Sequence, residues 1–290
     1  MNRIKIVTDS NSGILQSEGQ EMGVFVIPMP FTINGEEYLE EISISQDKFY
    51  EFLSSDAEVT TSQPSQYYLQ ELFEELLKDC DEVVYLPMSS GLSGTCANAT
   101  KLAERFDGRV QVIDNKRISV TLKSAVCEAL TLANSGKNGV QIKELLESQS
   151  NLTSIYITVG TLKYLKKGGR VTPAAAALAS LLRIKPILYS NGDNFEKCAI
   201  SLNLAQAKKK MIMQAKQDLE TKFKDMYEQG CMSVAVAHTQ NLVEAEKFKT
   251  EIEKDIPNVK VEYLDPLSLS VSCHIGAGAL AIAVFPNNLK

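Results

Sequence analysis

Three short segments rich in Ser, Thr and Gly are placed where a ligand could be held: Asp9-Ser10-Asn11-Ser12-Gly13, Thr60-Thr61-Ser62-Gln63-Pro64-Ser65 and Ser89-Ser90-Gly91-Leu92-Ser93-Gly94-Thr95. Such loops, between a strand and a helix, present free backbone N–H groups and a positive helix end, where a carboxylate or phosphate binds readily. In any single loop, Ser and Thr ordinarily do no more than cap the helix. Three of them, expected together on the carboxyl edge of one parallel sheet, argue for an anion site. Lys166-Lys167-Gly168-Gly169-Arg170 reads as a basic loop whose paired glycines let Arg170 approach a ligand or another backbone closely. Of the two histidines, His238 ends a strand pattern. His274 comes just before Gly276 and Gly278 and is the better functional candidate, with a tight loop expected to feed a packed helix over Leu280 to Phe285.

Enzymatic motifs are incomplete. Gly91-Leu92-Ser93-Gly94-Thr95 has Thr95 where a nucleophile elbow needs its second glycine. No Gly-x4-Gly-Lys-Ser/Thr phosphate loop occurs. Ser93, Asp265 and His274 do follow the chain order of an α/β-hydrolase triad, so a serine esterase or acyltransferase using Ser93 and His274 stands as the enzymatic alternative. The six cysteines form no Cys-x-x-Cys pair, and with only two histidines no zinc ligand set is assembled. They are expected to be reduced thiols filling core space.

Alternating elements must carry these loops. Lys5 to Thr8, Phe25 to Ile27 and Met29 to Ile33 read as extended, and Gln46 to Leu53 as a helix. Pro64 to Leu77 is a helix by the spacing of Tyr68, Leu69, Leu72, Phe73, Leu76 and Leu77, with Pro64 near its first turn. Asp81 to Pro87 is a strand covered on both faces, followed by a helix from Gly94 to Phe106, a strand over Val110 to Ile113 and a helix over Ser119 to Asn134. Repeated β-loop-α units predict a parallel three-layer sheet. Beyond Asn151 the pattern is mixed. Ser154 to Val159 is a strand, Pro173 to Leu182 a buried Ala- and Leu-rich helix, and Ile184 to Tyr189 with Phe195 to Ser201 a hairpin turning at Asn191-Gly192. A helix over Gln206 to Tyr227, a strand over Met232 to His238, a helix over Glu244 to Glu253 and a strand over Val259 to Tyr263 follow. The boundary falls near residue 155.

The 290 residues suffice for two domains, and 44% hydrophobic with 23% charged residues is an ordinary globular balance. A net charge of −6 argues against nucleic acid and against polybasic anchoring to a bilayer. The longest apolar stretches fall short of the ~20 residues of a membrane span.

Taken in order and spacing, Val7-Thr8-Asp9-Ser10, Thr61-Ser62-Gln63-Pro64-Ser65, Ser89 to Thr95, Leu165 to Arg170, Ser180 to Leu188 and His274-Ile275-Gly276-Ala277-Gly278-Ala279 resemble the DegV family of bacterial fatty-acid-binding proteins over nearly the whole chain. The resemblance implies two α/β domains, 1–155 with a three-layer parallel sheet and 156–290 with a mixed sheet. A long-chain fatty acid would lie between them, with no other cofactor and no metal. It implies a cytoplasmic, non-catalytic protein that presents the acid to a separate fatty acid kinase, which makes an acyl phosphate. Transient membrane contact is implied, and nucleic acid is not. A lipid sensor without kinase coupling is the other non-enzymatic reading. By motif position Thr61, Ser62 and Ser93 would hold the carboxylate, with the Gly94 N–H near a helix start, Arg170 offsetting charge and His274 completing the network. The Ala-rich 174–179 stretch, Leu178, Leu181 and Leu182 are candidates for the tunnel wall. Three departures from the family pattern stand out: Ser119-Val120-Thr121-Leu122-Lys123 lacks two glycines, Ala277 replaces a proline, and Ser201 to Leu204 lacks an arginine expected near a kinase contact, the first basic residue there being Lys208.

Overall fold

The computed structural model describes residues 3–40, 42–55, 57–181 and 184–287. The chain begins with β1 (Ile4–Asp9), α1 (Gln16–Met22) and β2 (Val24–Ile27). β3 (Pro30–Ile33), β4 (Glu36–Leu39), α2 (Gln46–Ser54) and β5 (Val59–Thr61) come next. The first half ends with α3 (Gln66–Asp79), β6 (Glu82–Leu86), α4 (Thr95–Ala103), β7 (Val110–Val112), α5 (Val120–Asn134) and α6 (Gly139–Ser148).

A parallel sheet in the order β2-β1-β6-β7 forms the middle of three layers, as the alternating pattern predicts. Side chains on successive residues of a strand point to opposite faces. Val83 and Tyr85 accordingly pack with Leu69 and Phe73 of α3 and Ala99 of α4, while Val84 and Leu86 pack with Ala125 and Val126 of α5 and Ile142 of α6. Burial on both faces is why β6 reads as an unbroken apolar run. The sequence reading lacks α6; the Asn138–Gln141 capping box at its start is the signal that identifies it. It also lacks a separate antiparallel sheet, β4-β3-β5, packed on α2 through Phe31, Phe49 and Leu53. Strands of three or four residues are too short to show a period of two.

The second half contains β8 (Ser154–Thr158), α7 (Lys163–Gly168), α8 (Pro173–Ala176), β9 (Lys185–Ser190), β10 (Glu196–Ser201) and α9 (Leu204–Glu220). α10 (Lys224–Glu228), β11 (Met232–His238), α11 (Leu242–Asp255), β12 (Val261–Pro266), α12 (Leu269–Ile275) and β13 (Leu280–Pro286) complete it. Six strands form a mixed sheet in the order β10-β9-β8-β13-β11-β12, parallel only between β11 and β12. One face is covered by α9 and α11 through Met211, Ala215 and Phe248. The other face, with Ile155, Ile157, Ala281 and Phe285, packs on Leu165, Val271 and Ile275 and also on Leu92, Ile118 and Val120 of the first half. Apolar contact between the two halves of the chain forms here and where Leu269 and Cys273 pack with Phe31 and Phe49.

Three expectations are corrected. Leu280 to Phe285 is a strand, not a helix: β13 is central in the sheet and buried throughout, and a fully buried strand and a buried helix leave the same continuous apolar run. Pro173 to Leu182 is not one buried helix. One α turn passes into a 3-10 turn at Ala177–Ser180 and ends at an extended Leu181, with only Ala175 and Leu178 buried within the two turns and Leu181 half exposed. Leu182 lies outside the described residues. The long helix over Gln206 to Tyr227 is interrupted between α9 and α10, where Phe223 turns into the core. Among the described residues, no helix is long and apolar enough to cross a membrane.

Candidate functional site

Two of the three loops leave the carboxyl edge of the parallel sheet. At the end of β1, the buried Asp9 carboxylate accepts hydrogen bonds from the backbone N–H (3.1 Å) and side-chain amide (2.9 Å) of Asn11, and from the Met88 N–H (3.0 Å). Burial pushes its carboxyl up to about 6 against the opposing effect of those bonds. Asn11 in turn accepts a hydrogen bond from the Ser270 hydroxyl at 2.7 Å. In the loop after β6, Ser93 Oγ accepts from the Thr95 N–H at 3.2 Å and lies 3.0 Å from the Thr95 hydroxyl, helping to start α4. The third loop corrects the expectation of one shared edge. Thr61 ends β5 of the small antiparallel sheet and reaches the site because β5 pairs with β3. Ser65, not Pro64, caps α3 by accepting the Tyr68 N–H, so Pro64 stands before the first turn.

The basic segment is the last turn of α7 rather than a loop, closed by Gly169 in the left-handed region at φ +69°. Arg170 follows. Its Nε donates to the Leu92 carbonyl at 3.2 Å, its Nη1 donates to the Gly168 carbonyl, and its own carbonyl accepts the Phe195 N–H at 2.9 Å. His274 sits in the last turn of α12, with Nε2 2.9 Å from Thr61 Oγ1. Its ring passes directly over Gly168, where any Cβ would collide with Nδ1. Burial, reinforced by the positive charge of Arg170, presses the imidazole down to about 4, so it is neutral at neutral pH.

Thr61, Ser62, Ser93, Arg170 and His274 all line one cavity of about 240 Å³ between the two halves of the chain. Gly94 does not. It caps α4 outside the cavity, beside the Gln63 side chain. Asn11, Gln63 and Ser270 complete the polar side; Asn11 and Gln63 lie in loops that the sequence singles out, whereas nothing local marks Ser270. The apolar wall is built from Met29, Met88, Leu92, Ile118, Leu165, Phe195, Val271 and Ile275, residues from six separate stretches of chain. The 174–179 stretch and Leu181 are not among its lining residues; Ala175 and Leu178 belong to the neighbouring core. A second recess of about 310 Å³ shares Thr61, Arg170 and His274 and carries Lys163 and Lys167.

The hydrolase arrangement is not assembled. Asp265 is engaged by Lys123 Nζ at 3.0 Å, and the same lysine holds Glu18 at 2.9 Å. The hydrogen-bond partner of His274 is Thr61 instead of a carboxylate. Lys123, a departure from the family pattern, therefore ties α1, α5 and the end of β12 together. Ser119, beside the other departures, opens α5 at φ 54°, ψ −137°, and its N–H donates to the Asn11 carbonyl at 2.8 Å. This backbone turn sets Ile118 against the cavity.

The chain matches the family model described as "Uncharacterised protein, DegV family" over residues 3–287. It is 31% identical over 283 residues to Protein DegV of Bacillus subtilis (strain 168), covering 96% of this chain and 98% of that protein. Its structure is similar to that of a DegV family protein from Thermus thermophilus described by its fatty acid binding, with a TM-score of 0.84, 26% identity and 98% and 99% of the two chains covered. It is also similar to the crystal structure of DegV, a fatty acid binding protein from Bacillus subtilis, with a TM-score of 0.83, 27% identity and 99% and 100% coverage. Since the match takes in both large sheets and every segment that lines the cavity, this protein belongs to the DegV family.

Proposed function

We propose that this protein binds a long-chain fatty acid in the cavity and presents its carboxylate to a fatty acid kinase, without being an enzyme itself. The carboxylate would be held by Thr61, Ser62, Ser93 and Arg170, with His274 fixing Thr61, and the tail would run along Met88, Leu92, Ile118, Phe195 and Val271. The carrying observation is the charge balance of the cavity. With His274 neutral, Arg170 is the one formally charged group among the described lining residues, set in an otherwise apolar and hydroxyl-bearing wall. Such a site favours a single anionic head on an apolar tail over a neutral ester. Burying about fourteen methylenes contributes roughly 11 kcal/mol against water at ~0.8 kcal/mol each, so a few donors suffice for the head group.

The recess that shares Thr61, Arg170 and His274 supports the kinase reading, because it carries Lys163 and Lys167 beside the residues that would hold the carboxylate. Docking would not use the region of the missing arginine. Lys208, the first basic residue there, is buried between Glu251 at 2.5 Å and Glu244 at 3.4 Å. In this reading the chain divides into units 1–155 and 156–290 that enclose the ligand, works in the cytoplasm, collects lipid by brief membrane contact and engages no nucleic acid. Mass spectrometry of lipid extracted from the purified protein tests the binding, with one fatty acid per chain expected. A protein that is empty and takes up no added fatty acid would refute it. Acyl phosphate formed only when kinase, ATP and this protein are combined tests the presentation step.

A further inference from the structure

Among the described residues lining the cavity, the exposed ones are Ser62 and Gln63, so its route to solvent runs past the loop between β5 and α3. Gln63 lines that route. Its Oε1 accepts a 2.6 Å hydrogen bond from Nδ2 of Asn98 on α4, which joins the loop to the helix. Beside the Gln63 amide lies Gly94, where a Cβ would stand 2.6 Å from Gln63 Nε2. The glycine thus leaves the lane in which the side chain lies. Gln63 and Asn98 are both exposed, so opening exchanges their bond for bonds to water at small net cost.

We propose that Gln63 is a latch across the cavity mouth, held shut by Asn98 and given room by Gly94, which sets how fast ligand enters and leaves. A latch stands in the path in both directions, so losing it speeds both steps and changes their ratio less than either. The latch follows from the geometry of the mouth; only the choice of a fatty acid as its ligand rests on the proposed function.

The test is stopped-flow exchange of two probes, parinaric acid as a fluorescent long-chain fatty acid and anilinonaphthalene sulfonate as a small apolar dye. Gln63→Ala and Asn98→Ala should raise association and dissociation rates together by roughly three- to tenfold, the range one solvent-exchangeable hydrogen bond supports. Gly94→Ala, which displaces only the flexible end of Gln63, should raise both rates as well. Unchanged rates in all three disrupting variants would overturn the proposal. So would faster dissociation with unchanged association, which would make Gln63 a ligand contact. If wild-type protein excludes parinaric acid but exchanges the dye at latch-dependent rates, the fatty-acid reading fails and the latch stands. If neither probe enters, both fail.

Discussion

Thr61 Oγ1 and His274 Nε2 lie 2.9 Å apart, joining the last residue of β5 to the last turn of α12 across 213 positions of sequence. The bond places a neutral imidazole behind a hydroxyl that faces the cavity. Because burial and Arg170 keep the ring uncharged, the hydroxyl is oriented without adding a second cation beside the ligand.

Thr61→Val keeps the shape of the side chain and removes that hydroxyl. A hydrogen bond to a charged group contributes about 1.5–3 kcal/mol, so fatty-acid affinity should fall roughly ten- to hundredfold, read by calorimetric titration. Stability should fall by about 1 kcal/mol as His274 loses its partner. Unaltered affinity would remove Thr61 from the head-group site.

Gly168→Ala and Gly169→Ala separate ring placement from backbone conformation. At Gly168 a Cβ meets the His274 ring, so the ring must leave Thr61 and binding should weaken at least as much as in Thr61→Val. At Gly169 nothing lies within 4 Å but φ is +69°, so the cost should appear as about 1 kcal/mol of stability with affinity preserved. Thermal unfolding and titration of both variants check the contrast; equal effects on binding would contradict it.

Stability against pH follows from two buried groups of opposite sign. Asp9 is raised from 3.8 to about 6, so its contribution is fully present below about 4 and is lost as pH rises through 6. His274 is lowered from 6.5 to about 4, so its contribution is present above 6.5 and is lost as pH falls toward 4. Each amounts to about 3 kcal/mol at 1.36 kcal/mol per unit, and in the wild type they largely offset each other between pH 4 and 6.5. His274→Gln should therefore gain stability as pH drops from 6.5 to 4, and Asp9→Asn should lose it, as read from urea midpoints. Parallel pH profiles in the two variants would show that these groups do not set the dependence.

Ser119→Gly should be stabilising. A non-glycine residue at φ 54°, ψ −137° carries about 1–3 kcal/mol of strain, against roughly 0.5–1 kcal/mol of extra chain entropy for glycine. The buried Ser119 hydroxyl also has no hydrogen-bond partner among the described residues, so its removal adds to the gain. A rise of about 1 kcal/mol in unfolding free energy is expected, and a fall would show that the serine contributes a contact worth more than the strain.

Local chain chemistry was enough for the alternating elements of the first half, because an amphipathic helix such as α3 and a doubly covered strand such as β6 carry their burial pattern in adjacent residues. It also marked the loops that carry Thr61, Ser62 and Ser93, together with Arg170 and His274, since Ser-, Thr- and Gly-rich turns beside apolar runs are visible within a few positions, while the choice of Thr61, Ser62 and Ser93 within those loops came from the resemblance to the DegV family. It failed where a segment's conformation is imposed from a distance. β13 is a strand because β8 and β11 flank it, and β5 is a strand because β3 pairs with it. Arg170 is held through Leu92 and Phe195, and Gly94 is displaced from the site to lie under Gln63. Ser270 and Ile118 become cavity walls only when the face of the mixed sheet closes on the loops of the parallel one. Backbone pairing and burial between residues tens to hundreds of positions apart leave no periodic trace in either segment, so those placements came from the packed fold.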